Sequence, residues 1–169
     1  MIYSKKWKSW HTNIDSKTCL MCKKKNGKIY AIGTDVSSEL PIHPNCRCFI
    51  GKLKAMYAGT ATEKGMKGAD WYLKYYNKLP EYYITRKDAK ILGWDAHKGN
   101  LAKVAPGQMI TGGIYRNNDG KLPDLPNRVW NEADLDYKGG FRNDKRVLFS
   151  NDGLIFVTYD HYKTFIEII

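Results

Sequence analysis

All four cysteines of this 169-residue chain fall between positions 19 and 48, as Cys19-x2-Cys22 and Cys46-x-Cys48, and none follows. A segment of about 50 residues has too little core to fold unaided, so such a segment needs a staple. With His43 three positions before Cys46, it offers five soft or borderline donors for a four-coordinate metal. Zinc suits thiolate and imidazole, and a structural rather than catalytic ion is expected. Cys46-x-Cys48 is tighter than the usual zinc pair, so His43 with Cys46 competes with Cys46 with Cys48 for the second half of the set. Disulfides and plain thiols are the other readings, and zinc stands ahead of both.

Charge divides the chain in the same place. Lys and Arg number 28 against 17 Asp and Glu, a formal net charge of +11. Of these, 11 basic and 3 acidic residues precede position 61, and 17 and 14 follow. An excess of this size favours polyanionic partners, and its asymmetry suggests two units with different roles. Twelve Tyr and five Trp in a 43% hydrophobic chain exclude a disordered protein. No run approaches the ~18 apolar residues of a membrane span. Residues 1–11 alternate Lys with Trp where a secretion signal would be apolar, so neither a membrane protein nor a self-secreted one is expected.

The expected division is a Cys-rich segment over 1–53, a glycine-containing linker over 54–68 and a second unit over 69–169. In that unit Ala69, Tyr72, Leu73 and Tyr76 form the stripe of an amphipathic helix, ended by Leu79-Pro80. Thr85 and Asp88 resemble a capping pair for a short second helix closed near Gly93. Arg86 then lies in its first turn, where a cation opposes the helix dipole unless an anion binds beside it. Strands are predicted over 128–137, 146–150, 154–159 and 162–168, with reversals at Gly139-Gly140, Asn151-Asp152-Gly153 and Asp160-His161. Connections this short make the strands antiparallel, which gives an α+β unit with helices on one face of a sheet.

Few residues of this unit suit acid, base or phosphate chemistry. His161 lies in a polar turn. On strand 128–137 the alternation sets Val129, Ala133, Leu135 and Tyr137 on one face, with Trp130, Glu132, Asp134 and Asp136 on the other, where an acidic residue ordinarily belongs to a solvated sheet face. Arg142 and Arg146 follow within strand-pairing reach, so a carboxylate, two arginines and a histidine can converge.

The stretches Leu79-Pro80-Glu81-Tyr82-Tyr83-Ile84-Thr85, Lys98-Gly99-Asn100-Leu101-Ala102, Gly120-Lys121-Leu122-Pro123, Gly140-Phe141-Arg142-Asn143 and Asp160-His161-Tyr162-Lys163-Thr164-Phe165 closely resemble the barnase family of small bacterial ribonucleases, over residues 61–169. The resemblance implies helices on a five-stranded antiparallel sheet. It implies Glu132 as general base and His161 as general acid. Arg142, Arg146 and, in place of the family's lysine, Arg86 would be the phosphate-binding cations, with Tyr162 beside the substrate. RNA would then be cleaved through its own 2′-hydroxyl to a 2′,3′-cyclic phosphate, without a metal and sparing DNA.

Three departures from that family bear on activity. Arg86 keeps the lysine's charge but presents a planar fork. The base-recognition loop reads Arg116-Asn117-Asn118-Asp119-Gly120, where the family carries serine, arginine and glutamate at 116, 118 and 119. Asn117, Asn118 and Asp119 are therefore expected to give a weakened purine, chiefly guanine, preference. Gly113 replaces an aspartate that supports the family's lysine.

The front segment, through Thr18-Cys19-Leu20-Met21-Cys22 and His43-Pro44-Asn45-Cys46-Arg47-Cys48, resembles the C-terminal part of phage minor head proteins of the Mu F-like morphogenesis family. Together the resemblances imply a toxin ribonuclease on a Cys-rich adapter, delivered to act in a target-cell cytoplasm. An acidic inhibitor resembling barstar is the expected partner beside RNA. A head-associated RNA-binding protein with a decayed nuclease is the alternative.

Overall fold

The computed structural model describes residues 2–169, which hold nine strands and four α-helices. They fall into two compact units: one runs to Ala55 and takes in Asn117–Pro126, and the other comprises Met56–Arg116 and Asn127–Ile169.

In the first unit the central strand is β1 (Ile2–His11), flanked by β2 (Ile29–Ala31) and β3 (Phe49–Met56), both antiparallel to it. Its aromatic Tyr3, Trp7 and Trp10 suit a strand, and Trp10 is fully buried beside buried Ser9. The register slips between Tyr3 and Lys8, where Ser4 Oγ accepts from the Lys6 and Trp7 N–H groups. Helix α1 (Leu20–Lys25) begins on Cys19, whose sulfur accepts from the Cys22 N–H. The segment 117–126 belongs here because Ile29 N–H donates to the Lys121 carbonyl at 2.8 Å and Leu122 is buried. Asn117 braces this loop from within, donating to the Leu122 carbonyl and accepting from its N–H.

The second unit carries β4 (Tyr83–Thr85), β5 (Met109–Tyr115), β6 (Trp130–Asp134), β7 (Arg146–Ser150), β8 (Ile155–Thr158) and β9 (Ile166–Ile168), in the order β9-β8-β7-β6-β5-β4. Strands β5 to β9 pair antiparallel, whereas β4 pairs parallel with β5. The parallel pair is permitted by the long crossover that contains α3 (Arg86–Ile91) and α4 (Leu101–Val104). Helix α2 (Ala69–Tyr76) lies against β7 and β8, and α3 lies against β4 and β5.

The expected five-stranded sheet and layer of N-terminal helices are corrected accordingly. The described residues contain nine strands, the chain opens on a strand, and its helices have only four to eight residues. What stands is a mixed α+β chain rich in sheet. Among the described residues no helix is long and apolar enough to cross a membrane.

The main core joins Ala133, Leu135, Val147, Ile155, Val157 and Ile168 of the sheet side to Ala69 and Leu73 of α2. Burying a side chain of leucine or isoleucine size contributes roughly 1.5–3 kcal/mol, so this cluster fixes how the helix meets the strands. Along 54–68, the stretch expected to link two units, Ala58 and Ala61 are buried in this core. They are tied there by Asp70, whose buried carboxylate accepts from the Gly59 and Ala61 N–H groups at 2.7 and 3.0 Å. A second cluster of Ala89, Trp94, Leu101, Ala105 and Ile110 seats α3 and α4.

Candidate active site

Strand β6 presents Glu132 opposite Gly113 of β5 and Leu148 of β7. Its carboxylate is nearly buried and doubly engaged. Oε1 lies 3.0 Å from Arg86 Nη2, and Oε2 accepts the Tyr162 hydroxyl at 2.5 Å. Gly112 makes room for this pair: a Cβ there would stand 3.0 Å from Glu132 Oε1 and 3.5 Å from Arg86 Nε. The Thr85 hydroxyl caps α3 by accepting from the Asp88 N–H, which sets Arg86 at the start of the helix.

Two residues along β6, fully buried Asp134 organises both arginines. It takes Arg142 through Nε and Nη2, at 2.7 and 2.5 Å. Arg146 Nε stands 3.1 Å away as an ion pair without an aligned hydrogen bond, and its Nη1 donates to the Asn143 and Lys145 carbonyls. Burial lowers the pKa of Arg142, but the bonds and charge of Asp134 outweigh that and raise it above the ordinary value. The site thus holds two guanidinium groups on one buried carboxylate.

His161 and Tyr162 both adopt positive φ, 55° and 65°, a conformation that costs a side-chain-bearing residue of order 1–2 kcal/mol. The turn is held by Asp160, which accepts from the Lys163 and Thr164 N–H groups and the Thr158 and Thr164 hydroxyls. Burial opposes ionisation of Asp160, and these donors overcome it, so its pKa is lowered. The His161 ring lies 4.9 Å from that of Tyr162, which stacks on Tyr115 at 5.1 Å and 22°. Burial, then the bond to Glu132, raises the pKa of the Tyr162 phenol, so it remains a donor.

Arg86, Glu132, Arg142, Arg146, His161 and Tyr162 are thus gathered by the strand pairing, Asp134 and the Tyr162 contacts. Asn117, Asn118 and Asp119 belong to the other unit. Strand β6 stops at Asp134 and β9 begins only at Ile166, so the predicted strands over 128–137 and 162–168 are too long. The face carrying Glu132 is also more than a solvated surface, since Trp130 and Asp134 are buried on it. Sequence reasoning missed Asp134, Asp160 and Tyr115. Asp134 was visible as the alternation partner of Glu132.

In the first unit His43 Nε2 lies 3.2 Å from Cys19 Sγ and 3.2 Å from Cys22 Sγ, while Cys22 Sγ is 4.0 Å from Cys46 Sγ. Cys22, Cys46 and Cys48 form a second trio. Metal–sulfur bonds of about 2.3 Å and metal–nitrogen bonds of about 2.0 Å in a tetrahedron place ligand atoms roughly 3.5–3.8 Å apart, so the donors fit zinc. His43 Nδ1 donates to the Pro44 carbonyl at 2.7 Å, leaving Nε2 toward the sulfurs as metal-ligating histidines do. Backbone N–H groups at Cys22 and Cys48 hold Cys19 and Cys46 down to about 7, whereas burial pushes Cys22 up.

A family model described as ribonuclease matches residues 68–169. A ribonuclease of Heyndrickxia coagulans is 52% identical over 97 residues, which are 57% of this chain and 89% of that protein. Ribonucleases of Bacillus intermedius and Bacillus pumilus are each 52% identical over 97 residues, 57% of this chain and 60% of theirs. Through residues 68–169, which carry the Glu132, Asp134 and Tyr162 cluster, the chain belongs to the ribonuclease family.

Proposed function

We propose that this chain is a metal-independent endoribonuclease that cleaves single-stranded RNA by transphosphorylation. Glu132 takes the 2′-hydroxyl proton, the resulting oxygen attacks the adjacent phosphorus, and His161 protonates the departing 5′-oxygen. The products are a 2′,3′-cyclic phosphate and a free 5′-hydroxyl. Arg86, Arg142 and Arg146 stabilise charge on the phosphoryl oxygens as it develops. The observation that carries the reading is the placement of Glu132 between the Arg86 guanidinium and the Tyr162 hydroxyl, one alternation from the Asp134 carboxylate that holds the other two arginines. These side chains supply base, acid and cations, so no step needs a metal.

Guanine or purine preference is the expected specificity, carried by Asn117, Asn118 and Asp119 and weakened by the absence of an arginine at 118. We further propose a toxin role, with 1–53 as an adapter like that of Mu F-like head proteins and 69–169 as the nuclease, joined through 54–68, whose Ala58 and Ala61 pack into the nuclease core. A barstar-like acidic inhibitor would be drawn quickly to the cationic site. In the adapter, four of Cys19, Cys22, His43, Cys46 and Cys48 would hold a structural zinc, which ties α1 to the His43–Cys48 turn and takes no part in cleavage.

The test is incubation with single-stranded RNA in excess EDTA, with end-group analysis of the fragments. Cyclic phosphate ends are expected with all four bases represented and guanine enriched on the 5′ side. Binding without cleavage would instead favour the RNA-binding alternative.

A further inference from the structure

We infer that the first unit carries a phosphate-binding recess for RNA, formed by Lys23, Lys24, Lys28 and Lys121 with Asn118 and Asp119. This rests on the reading of the chain as an RNA-cleaving enzyme and adds to it a binding site whose cations come mainly from the cysteine-rich segment.

The recess has a volume of about 580 Å³, and these six residues line it. Its cations converge from three places. Lys23 and Lys24 lie in the last turn of α1, Lys28 in the turn before β2, and Lys121 in the loop that Ile29 pins by its backbone. Lys28 reaches that loop, since a Cβ on Gly120 would stand 3.7 Å from its Nζ. The neighbouring Lys25 is engaged elsewhere, pairing with Glu39 and lying 4.5 Å over the Trp10 ring.

Four lysines thus line one recess with a single carboxylate, Asp119, which is 3.6 Å from Lys121 Nζ. Unbalanced positive charge in a concave site raises the local concentration of anions. The mixture of groups favours RNA over an acidic protein. Lysines neutralise phosphates, while Asp119 and the Asn118 carboxamide accept from ribose hydroxyls and base amino groups, donors that Asp and Glu side chains lack.

The test compares Lys23→Ala/Lys24→Ala/Lys28→Ala with a control, Lys5→Ala/Lys6→Ala/Lys17→Ala, which removes equal charge from exposed positions of the same unit. The probe is a fluorescein-labelled single-stranded 2′-O-methyl RNA, which lacks the attacking hydroxyl, followed by anisotropy over a salt series. Each single-strand phosphate contact contributes about 0.7 to the slope of log affinity against log salt, so the recess variant should lose about 2 units of slope. At low salt it should bind at least about tenfold more weakly, with the control changed by less than about threefold. Equal losses in the two variants, or none in the recess variant, overturn the inference. So does loss of poly-glutamate binding with RNA binding intact, which assigns the recess to an acidic protein. Cleavage of ordinary RNA by the unaltered protein is measured alongside. Its absence would count against the enzyme reading alone, and its presence with unchanged RNA binding by the recess variant would count against the recess alone.

Discussion

Tyr162 donates its hydroxyl to Glu132 Oε2 at 2.5 Å from a backbone with φ of 65°, so a conformationally costly residue fixes the carboxylate proposed as the base. The strain is offset locally. Thr158 Oγ1 accepts from the Tyr162 N–H at 3.0 Å, and Asp160 binds the following turn.

Replacing Tyr162 by Phe keeps the stacking on Tyr115 and removes only the donor. Hydrogen bonds to charged groups contribute about 1.5–3 kcal/mol. Steady-state cleavage should therefore show kcat/KM lower by about 10- to 100-fold, and Tm should fall by several degrees because the same bond satisfies a nearly buried carboxylate. Unchanged kcat/KM would show that the bond has no part in catalysis.

Arg86 carries the second hold on Glu132 and a proposed phosphate contact. Arg86→Ala should lower kcat by about 100-fold, the scale for deleting one positioned transition-state donor, and Arg86→Lys should recover part of it. Equal activity of the three proteins in single-turnover assays would remove Arg86 from the mechanism.

Asp134 is the common anchor of Arg142 and Arg146, and its side chain is fully buried. Asp134→Asn leaves two guanidinium groups without their counter-charge, which should cost about 3–5 kcal/mol. Urea unfolding should show this as a lower midpoint at unchanged slope. A loss under about 1 kcal/mol would contradict the anchoring role.

The Arg128–Asp152 pair gives a pH signature. Hydrogen bonding to Arg128 first, and to Ser150, brings the Asp152 carboxyl down to about 2. A depressed carboxylate contributes stability above its ordinary value near 3.9, and that contribution is lost as pH falls through the folded value. The carboxylate is 44% exposed, so solvent screening reduces its contribution to about 1 kcal/mol. Asp152→Asn should be less stable by that amount at pH 6, with the difference shrinking as pH falls from about 4 through 2. A difference undiminished at pH 2 would refute the assignment.

How much of this was readable follows the range of the interactions. Helix α2 was legible because Ala69, Leu73 and their neighbours repeat at helical spacing, and β7 because Arg146–Ser150 lies between clear turns. The β5 strand was not, because Gly112 and Gly113 interrupt its apolar pattern, Gly112 leaving space for Glu132. Strand β4 has three residues and exists by pairing with β5. Asp160-His161 read as a reversal and Tyr162 as the start of a strand, yet the turn runs on past Tyr162 because Asp160 holds it through side-chain bonds that periodicity does not encode. Likewise, the bond from Ile29 N–H to the Lys121 carbonyl joins positions far apart in sequence and appears in no local pattern. Glu132 and the arginines were found by residue type and alternation. Asp134 was missed because a carboxylate on a face expected to be solvated gave no sign of being buried between two cations.

The most direct measurement is RNA cleavage in excess EDTA by the unaltered chain, Glu132→Gln and His161→Gln. The account predicts cyclic-phosphate fragments from the first and losses of several orders of magnitude from both variants, each still folded by circular dichroism. Cleavage that needs added metal, or that proceeds at full rate in both variants, would contradict it.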